Sequence, residues 1–314
     1  MSDLSHSPTM TREVGGSPLV SIGLPVYNGE ELLPSLLESV LNQTFSNFEL
    51  IISDNGSTDK TVEICTEFSK KDTRVKLFQN SENIGPSYNF IRVLSLSDSP
   101  YFIWLAHDDE WGQDHLETLV DRIKDSEDAV LAINGWYHLD ENGKNMNNLL
   151  PSKKIQSASK RERFRRYLSE PYFDVGKACF IYGLIRTVTL KNLPVEEIFG
   201  EKSNLDTDRP AGIGKDVLLV LTLLSQGNIS YEPTLKTWGY RHRGVRKKRS
   251  QSKKLYDFFR FPLEALLGRR KIAILRIREF YDSLNTIIKE YHHSDIYLRI
   301  LSVITAFKMM ALFK

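Results

Sequence analysis

Cysteine is scarce: Cys65 and Cys179 are the two in 314 residues, more than a hundred positions apart. That excludes a disulfide framework and a zinc-ligand spacing, and it suits a reducing compartment, so the cytoplasm is the expected location. Apolar runs long enough to cross a membrane are missing too. Residues 1–17 are rich in Ser and Thr and hold Pro8 and the pair Gly15-Gly16. They are expected to be a disordered lead-in, neither signal peptide nor span. Near the other end, Ile296 to Phe313 is apolar but interrupted by Arg299 and Lys308. It reads as an amphipathic helix that either packs on the body or rests on a membrane face. No internal repeat or low-complexity tract appears.

Net charge is also small, +2, but its distribution is uneven. Residues 241–314 carry 18 Lys and Arg against 6 Asp and Glu, whereas residues 1–240 carry 24 against 34. A basic tail on an acidic body points to an anionic partner for the tail, such as a membrane surface or a diphosphate. With 41% apolar residues the chain has enough material for a large core, and it reads as globular.

From Leu19 onward, short β-rich runs alternate with helical patterns, which predicts an α/β fold with a mostly parallel sheet flanked by helices. Val20 to Leu24 is the first strand, followed by a helix with Leu32, Leu36 and Val40 on one face beside Leu33, Leu37 and Leu41. Phe48 to Ile52 is the second, ending at Ser53-Asp54-Asn55-Gly56, after which Ser57 is expected to cap a helix burying Val62, Cys65 and Phe68. Val75 to Phe78 is a third strand, leading into a helix near Tyr88 to Leu94. The fourth, Tyr101 to Leu105, ends in Ala106-His107-Asp108-Asp109. A helix through Leu116 to Ile123, a strand at Ala129 to Ile133 and a turn at Asp140 to Gly143 follow. Residues 144–170 are polar and basic, a candidate acceptor-side segment of unassigned fold. Val217 to Leu224 predicts another helix, stopped by Gly227.

The polar residues collect where strands end, and ligands of open parallel sheets bind beyond those carboxyl ends. Asp54 beside a tight turn can accept the imide N–H of a nucleobase, and a carboxylate further along the edge can hold a divalent cation against a diphosphate. Asp is equally at home in turns and at helix starts, so Asp54 and Asp59 taken alone leave both readings open.

The series Pro25-Val26-Tyr27-Asn28, Gln43-Thr44, Asp54 to Asp59, and Asn83-Ile84-Gly85 with Asn89 resembles the family 2 glycosyltransferases of GT-A fold. So do Ala106 to Trp111, Tyr182 to Arg186, Lys215-Asp216 and Tyr240-Arg241-His242. Each is weak alone; their order and spacing are specific. The resemblance implies an inverting, metal-dependent transfer from a nucleotide-sugar, a UDP-sugar by analogy, to a glycan or lipid-linked acceptor hydroxyl, in surface polysaccharide or lipid-linked glycan assembly. It implies that Pro25, Tyr27 and Asn28 border base and ribose, that Asp54 reads the base, and that Asn83, Gly85 and Asn89 line the donor. Asp108, with Asp109 and His242, would meet Mg²⁺ or Mn²⁺, Arg241 would face the diphosphate, and Asp216 would be the catalytic base. The sequence departs from the family's Asp-x-Asp pattern by placing Ala106 first, which leaves His107 either as a substitute contact or as a ring satisfied by backbone. Asp216 also suits a helix start by charge alone. Tyr182 to Arg186 would face the acceptor, with Arg186 holding an anionic group, or form an ordinary strand with a bulge. Trp104 and Trp111 are expected in the core.

The expected organisation is a lead-in over 1–17, a GT-A-like domain over 18–245 and a basic, mostly helical extension over 246–314. From Arg241 to Lys254 there are eight Lys and Arg and no acid, so the part beyond Arg243 is open to three readings, a solvated basic loop, a flexible flap or a contact with anionic lipid at the inner membrane face, and nucleic acid is not expected. Two rivals are weighed. A nucleotidyltransferase needs a basic phosphate loop after its first strand, and residues 25–34 hold no Lys or Arg. A non-catalytic nucleotide-sugar or anionic-surface binding protein would tolerate the altered metal pattern, but Asp108, Asp109 and Asp216 are present.

Overall fold

The computed structural model describes residues 17–139, 145–149, 179–199 and 215–241, with isolated positions between 156 and 167. The expected lead-in, apart from Ser17, the extension over 246–314 and His242 lie outside the described residues.

A nine-stranded sheet runs in the order β3-β2-β1-β4-β8-β6-β9-β5, with β7 paired to β6. Its first part is parallel: β1 (Val20–Val26) sits between β2 (Phe48–Asp54) and β4 (Tyr101–Trp104), and β3 (Val75–Gln79) closes the edge. Every residue of β1 and β2 is buried, as central strands covered on both faces require. Pro25, which has no N–H to give, lies beyond Gly23, where pairing with β4 stops. The covering helices α1 (Leu33–Leu41), α2 (Thr61–Lys71) and α3 (Pro86–Ser95) follow β1, β2 and β3 in turn. The apolar stripe predicted for α1 is in the core through Leu33, Leu36, Leu37 and Val40. Cys65 of α2 is buried, and burial pushes its thiol up to about 12.

The second part is mixed. Helix α4 (His115–Lys124) leads into β6 (Ala129–Leu139), which pairs antiparallel with β7 (Asn145–Leu149) and β8 (Leu184–Arg186) and parallel with β9 (Asn228–Arg241). The short β5 (Asp109–Trp111) joins the far side of β9, antiparallel. Between β8 and β9 come α5 (Thr187–Lys191), α6 (Val195–Phe199) and α7 (Lys215–Gln226). The parallel sheet with flanking helices matches the expectation; β8 falls in the segment weighed as an ordinary strand, and β5 and the long β9 were not foreseen. Trp104 and Trp111 are core, 1% and 5% exposed. Among the described residues no helix is long and apolar enough to cross a membrane.

The segment Gln43-Thr44 has a structural task. The Gln43 side-chain amide donates to the Gly112 and Ser39 carbonyls, and its oxygen accepts the Leu116 N–H in the first turn of α4. Thr44 donates its backbone N–H to the Gln113 carbonyl and its hydroxyl to Glu117. The end of α1 is thereby tied to the start of α4, although more than sixty residues separate them in the chain.

Candidate active site

The carboxyl ends of β1 and β2 carry two loops that hold each other. Asn28, at φ 50°, donates its backbone N–H to the Ser57 hydroxyl, and its side-chain oxygen accepts the Thr58 N–H. Gly29 N–H donates to Thr61 Oγ1, Glu30 N–H to Asp59, and Lys60 N–H to Glu30. Ser57 therefore serves the β1 loop; α2 begins at Thr61, after Lys60, instead of being capped by Ser57 as expected. Partial burial would raise the Asp59 carboxyl, but hydrogen bonds from the Thr61 side chain and from the Glu30 and Thr61 backbone hold it below the ordinary carboxylate value.

Asp54 ends β2, is 2% exposed, and its carboxylate accepts the N–H groups of Gly56 and Ser57 at 3.2–3.3 Å. The turn chemistry weighed for Asp54 is thus present. Gly56 adopts φ 72°, a region costly for other residues, and an added Cβ would meet the Glu82 and Asn83 backbone at 3.0–3.1 Å.

That close approach is locked by asparagine amides. Asn55, 2% exposed, donates to Asn83 Oδ1 at 2.8 Å, and its own oxygen accepts from Asn80 Nδ2 and the Ile84 N–H. Asn83 Oδ1 also accepts the Gly85 N–H, fixing Gly85 at φ 85° immediately before Pro86 opens α3. Asn89, also 2% exposed, accepts from the Ser53 hydroxyl and Asn80 and donates to the Ser53 carbonyl. Its amide faces inward, so what it gives the site is the position of the β2 end. Ser53, Asn55 and Asn80 were not singled out from the sequence; the run of Asn at 55, 80, 83 and 89 was the signal. Two of the three exposed large apolar side chains among the described residues, Tyr27 and Ile84, stand on the loops flanking this turn, one following β1 and one following β3.

After β4 the chain turns at Ala106 to Asp109. Asp109 is 6% exposed; its N–H bonds the Ala106 carbonyl and its carboxylate accepts the Ala106 N–H at 3.0 Å. This carboxylate closes the turn. Asp108 is half-buried and makes no hydrogen bond or ion pair with any described residue. No group of three His, Cys, Asp or Glu side chains gathers around a cation position among the described residues. A single outward carboxylate still fits Mg²⁺ or Mn²⁺, because such ions in nucleotide sites are commonly held by one or two carboxylates, substrate phosphates and water.

Two further elements reach this edge. β9 passes β5 in the register Asp109↔Tyr240, so the backbone brings Arg241 next to the Asp108-Asp109 turn. Asp216 lies in the first turn of α7, a 12-residue helix packed on β6 and followed at once by Gly227 and β9. β9 starts beside Ala129, the first residue of β6, and β6 runs parallel to β4 because both are antiparallel to β8. The end of α7 is therefore at the amino edge. Asp216 lies at the other end of this helix, roughly 15 Å along its axis.

Arg186 is a correction. It pairs in register with Tyr101, the first residue of β4, and so sits at the amino edge, opposite Asp54 and Asp108. Its guanidinium donates to the carbonyls of Ala129, Ile123 and Ser126, closing the end of α4. Gly183 is pressed against β6, where an added Cβ would meet the Ala132 carbonyl oxygen at 2.6 Å. The strand reading holds for this segment, and its glycine serves packing. A cavity of about 490 Å³ is an open acidic surface on α4, lined by Asp114, Glu117, Asp121 and Asp125, and holds none of the edge residues. Another, about 260 Å³, is lined in part by Asp108.

The model of glycosyl transferase family 2 matches residues 21–186, more than half of the chain. A Haemophilus influenzae protein named as an uncharacterized glycosyltransferase is 37% identical over 138 residues, 44% of this chain. The cholesterol galactosyltransferase of Borreliella burgdorferi is 31% identical over 180 residues, 55% of this chain. The chain spans about half the length of each, 55% and 49%. Among solved structures, S. aureus TarS in complex with UDP superposes with a TM-score of 0.60 at 17% identity, over 94% of this chain and 88% of that one.

Proposed function

The chain belongs to the family 2 glycosyltransferases and has their GT-A fold, and on that premise we propose that it moves a sugar from a nucleotide-sugar to an acceptor hydroxyl with inversion. What supports the reading is that Asp54 ends β2 and Asp108 follows β4, both at the carboxyl edge of parallel strands, with Asp216 in the first turn of the helix that precedes β9. A nucleotide-sugar needs that arrangement: a reader for the base, a carboxylate near the diphosphate and a base near the anomeric carbon.

Asp54 and the backbone of its turn would receive the nucleobase, bordered by Pro25, Tyr27 and Asn28, with Asn83 and Gly85 shaping the neighbouring loop. Asp108 would hold Mg²⁺ or Mn²⁺ against the diphosphate, supplying positive charge where the leaving group gathers negative charge. Arg241 is brought to the same place by the β9 register, and a cation there would add to that stabilisation. The acceptor oxygen attacks the anomeric carbon, Asp216 takes its proton, and the bond to the diphosphate breaks on the opposite side, which inverts the centre. UDP is the first donor nucleotide to test, by family resemblance. A lipid-linked or sterol-like acceptor is supported by the name of the Borreliella burgdorferi relative and by the basic run from Arg241 to Lys254.

The test is release of UDP from UDP-sugars in the presence of Mn²⁺, comparing the chain with Asp216→Asn. Removing the base should lower turnover by about 10²- to 10⁴-fold while leaving UDP affinity within twofold. Equal turnover in the variant would remove Asp216 from the reaction.

A further inference from the structure

We propose that Gln43 is a positioning residue for the Asp108 carboxylate, acting through the short strand β5, and this rests on the transferase reading, in which Asp108 meets the cation. With three residues, β5 is too short to fix its own place: among the described residues it ends the sheet and is paired on one side, by β9. Asp108 immediately precedes it and Gly112 immediately follows. Whatever holds Gly112 therefore sets how far the Asp108-Asp109 turn reaches along β9 toward Arg241.

Gln43 holds it from the far end of α1. The side chain is 5% exposed; its amide nitrogen donates to the Gly112 carbonyl at 2.6 Å and to the Ser39 carbonyl at 3.2 Å, and its oxygen accepts the Leu116 N–H at 2.9 Å. Both amide hydrogens and the oxygen are in use, so the side chain has one orientation, set by α1 behind it and the start of α4 in front. On the other side of the turn, Leu105 donates its N–H to the Gly23 carbonyl of β1. The residues from Ala106 to Trp111 are thus strung between two anchors, one on β1 and one on α1. Within that span the bond from the Ala106 N–H to the Asp109 carboxylate shapes the turn, but it travels with the turn and does not decide where it sits. Thr44 is tied to Gln113 and Glu117 on the exposed side of the same joint. Of these two neighbours, Gln43 is the one that reaches Gly112, next to β5. A shift of about 1 Å in an active group can cost on the order of 10²-fold, so a loosened Gly112 is enough to spoil a cation's geometry.

The test uses two variants of the full chain that disturb the joint differently, so that misfolding of one leaves the other to decide. Gln43→Glu keeps an oxygen for the Leu116 N–H and sets a carboxylate against the Gly112 carbonyl; Gln43→Met keeps the length and removes all three bonds. Glu117→Ala, which loosens the outer side of the joint, is the control. UDP is titrated calorimetrically into each, with Mn²⁺ and with chelator, beside urea unfolding. Affinity with Mn²⁺ should fall about tenfold in both Gln43 variants, while affinity with chelator stays within twofold of the wild type. Glu117→Ala should stay within twofold in both conditions. Equal losses with Mn²⁺ and with chelator, losses that follow the unfolding midpoint alike in all three variants, or no loss at all would overturn the proposal and leave Gln43 a joint between helices. Wild-type UDP binding that is absent or indifferent to Mn²⁺ would count against the transferase reading itself and would take the proposal with it.

Discussion

From β3 to β4 the sheet is parallel, and β1, β2 and β3 are each followed by a covering helix; from β8 to β5 strands of both directions meet across long stretches of chain. The two regions hold their share of the carboxyl edge by different means. In the first, Asp54 is fixed by neighbouring backbone N–H groups and by asparagine amides within the stretch from Ser53 to Asn89. In the second, Asp108 and Arg241 are brought together by register alone, with more than a hundred residues between them. The difference teaches that the Asp54 side of the edge, where the nucleotide is proposed to bind, is preformed by local structure, whereas the Asp108 side depends on β6, β8 and β9 packing correctly. Damage to the second region should therefore spread into the fold, and damage to the first should stay near the nucleotide.

The largest effect is expected at Gly183. Gly183→Ala forces a Cβ onto the Ala132 carbonyl oxygen and the Leu131 and Ile133 side chains, all on β6. Backbone cannot yield as a side-chain tip can, so urea unfolding should show a loss of about 1–3 kcal/mol. A loss under 0.5 kcal/mol would mean that β6 and β8 are loosely joined. Asn55→Ala comes next. It leaves the Ile84 N–H without its partner and removes one of two bonds from the Asn80 amide and from the Asn83 oxygen, a loss of about 1–3 kcal/mol or somewhat less if water enters. Its signature is local: UDP affinity should fall more in proportion than the midpoint of unfolding, measured by titration and melting side by side. Unchanged UDP affinity would detach the asparagine network from the nucleotide side.

Near neutral pH the smallest effect is at His115, and it emerges as a pH dependence. His115, at the joint between α1 and α4, is 2% exposed, stacked near Trp111, and burial lowers its pKa to about 3. Its folded pKa lies below the unfolded value, so the unfolded chain takes up a proton that the folded chain refuses. Stability should be full above about pH 6.5 and fall as pH drops toward 3, by at most about 1.4 kcal/mol per unit. His115→Gln should flatten that slope in urea unfolding between pH 7 and 5; an identical slope would show that other groups carry it.

The same contrast governs what could be read from the chain. β1 to β4 and α1 to α4 were legible because each is a local run with its own periodicity, and Asp54 and Asp108 were legible because they sit where such runs stop. β5 and β8 have three residues each, too few for either to carry a period of its own. β9 was visible only as the isolated Tyr240-Arg241 motif, since its pairing with β6 is set by distant partners. Arg186 was left open between an anion contact and an ordinary strand for the same reason: the antiparallel direction of β8, which decides its edge, is not written locally. Asn83 and Asn89 were singled out from the sequence as donor-lining residues, but that their amides interlock with Asn55 and Asn80 could come only from coordinates.

The most direct test of the central claim, that this edge receives a nucleotide-sugar with a cation at Asp108, is calorimetric titration of UDP, GDP and dTDP into the full chain, with Mn²⁺ and with chelator, beside Asp108→Ala. The account predicts that one nucleotide binds with Mn²⁺, and that chelator or Asp108→Ala weakens it at least about tenfold. Binding of none of them under any condition, or binding indifferent to both chelator and Asp108→Ala, would contradict it.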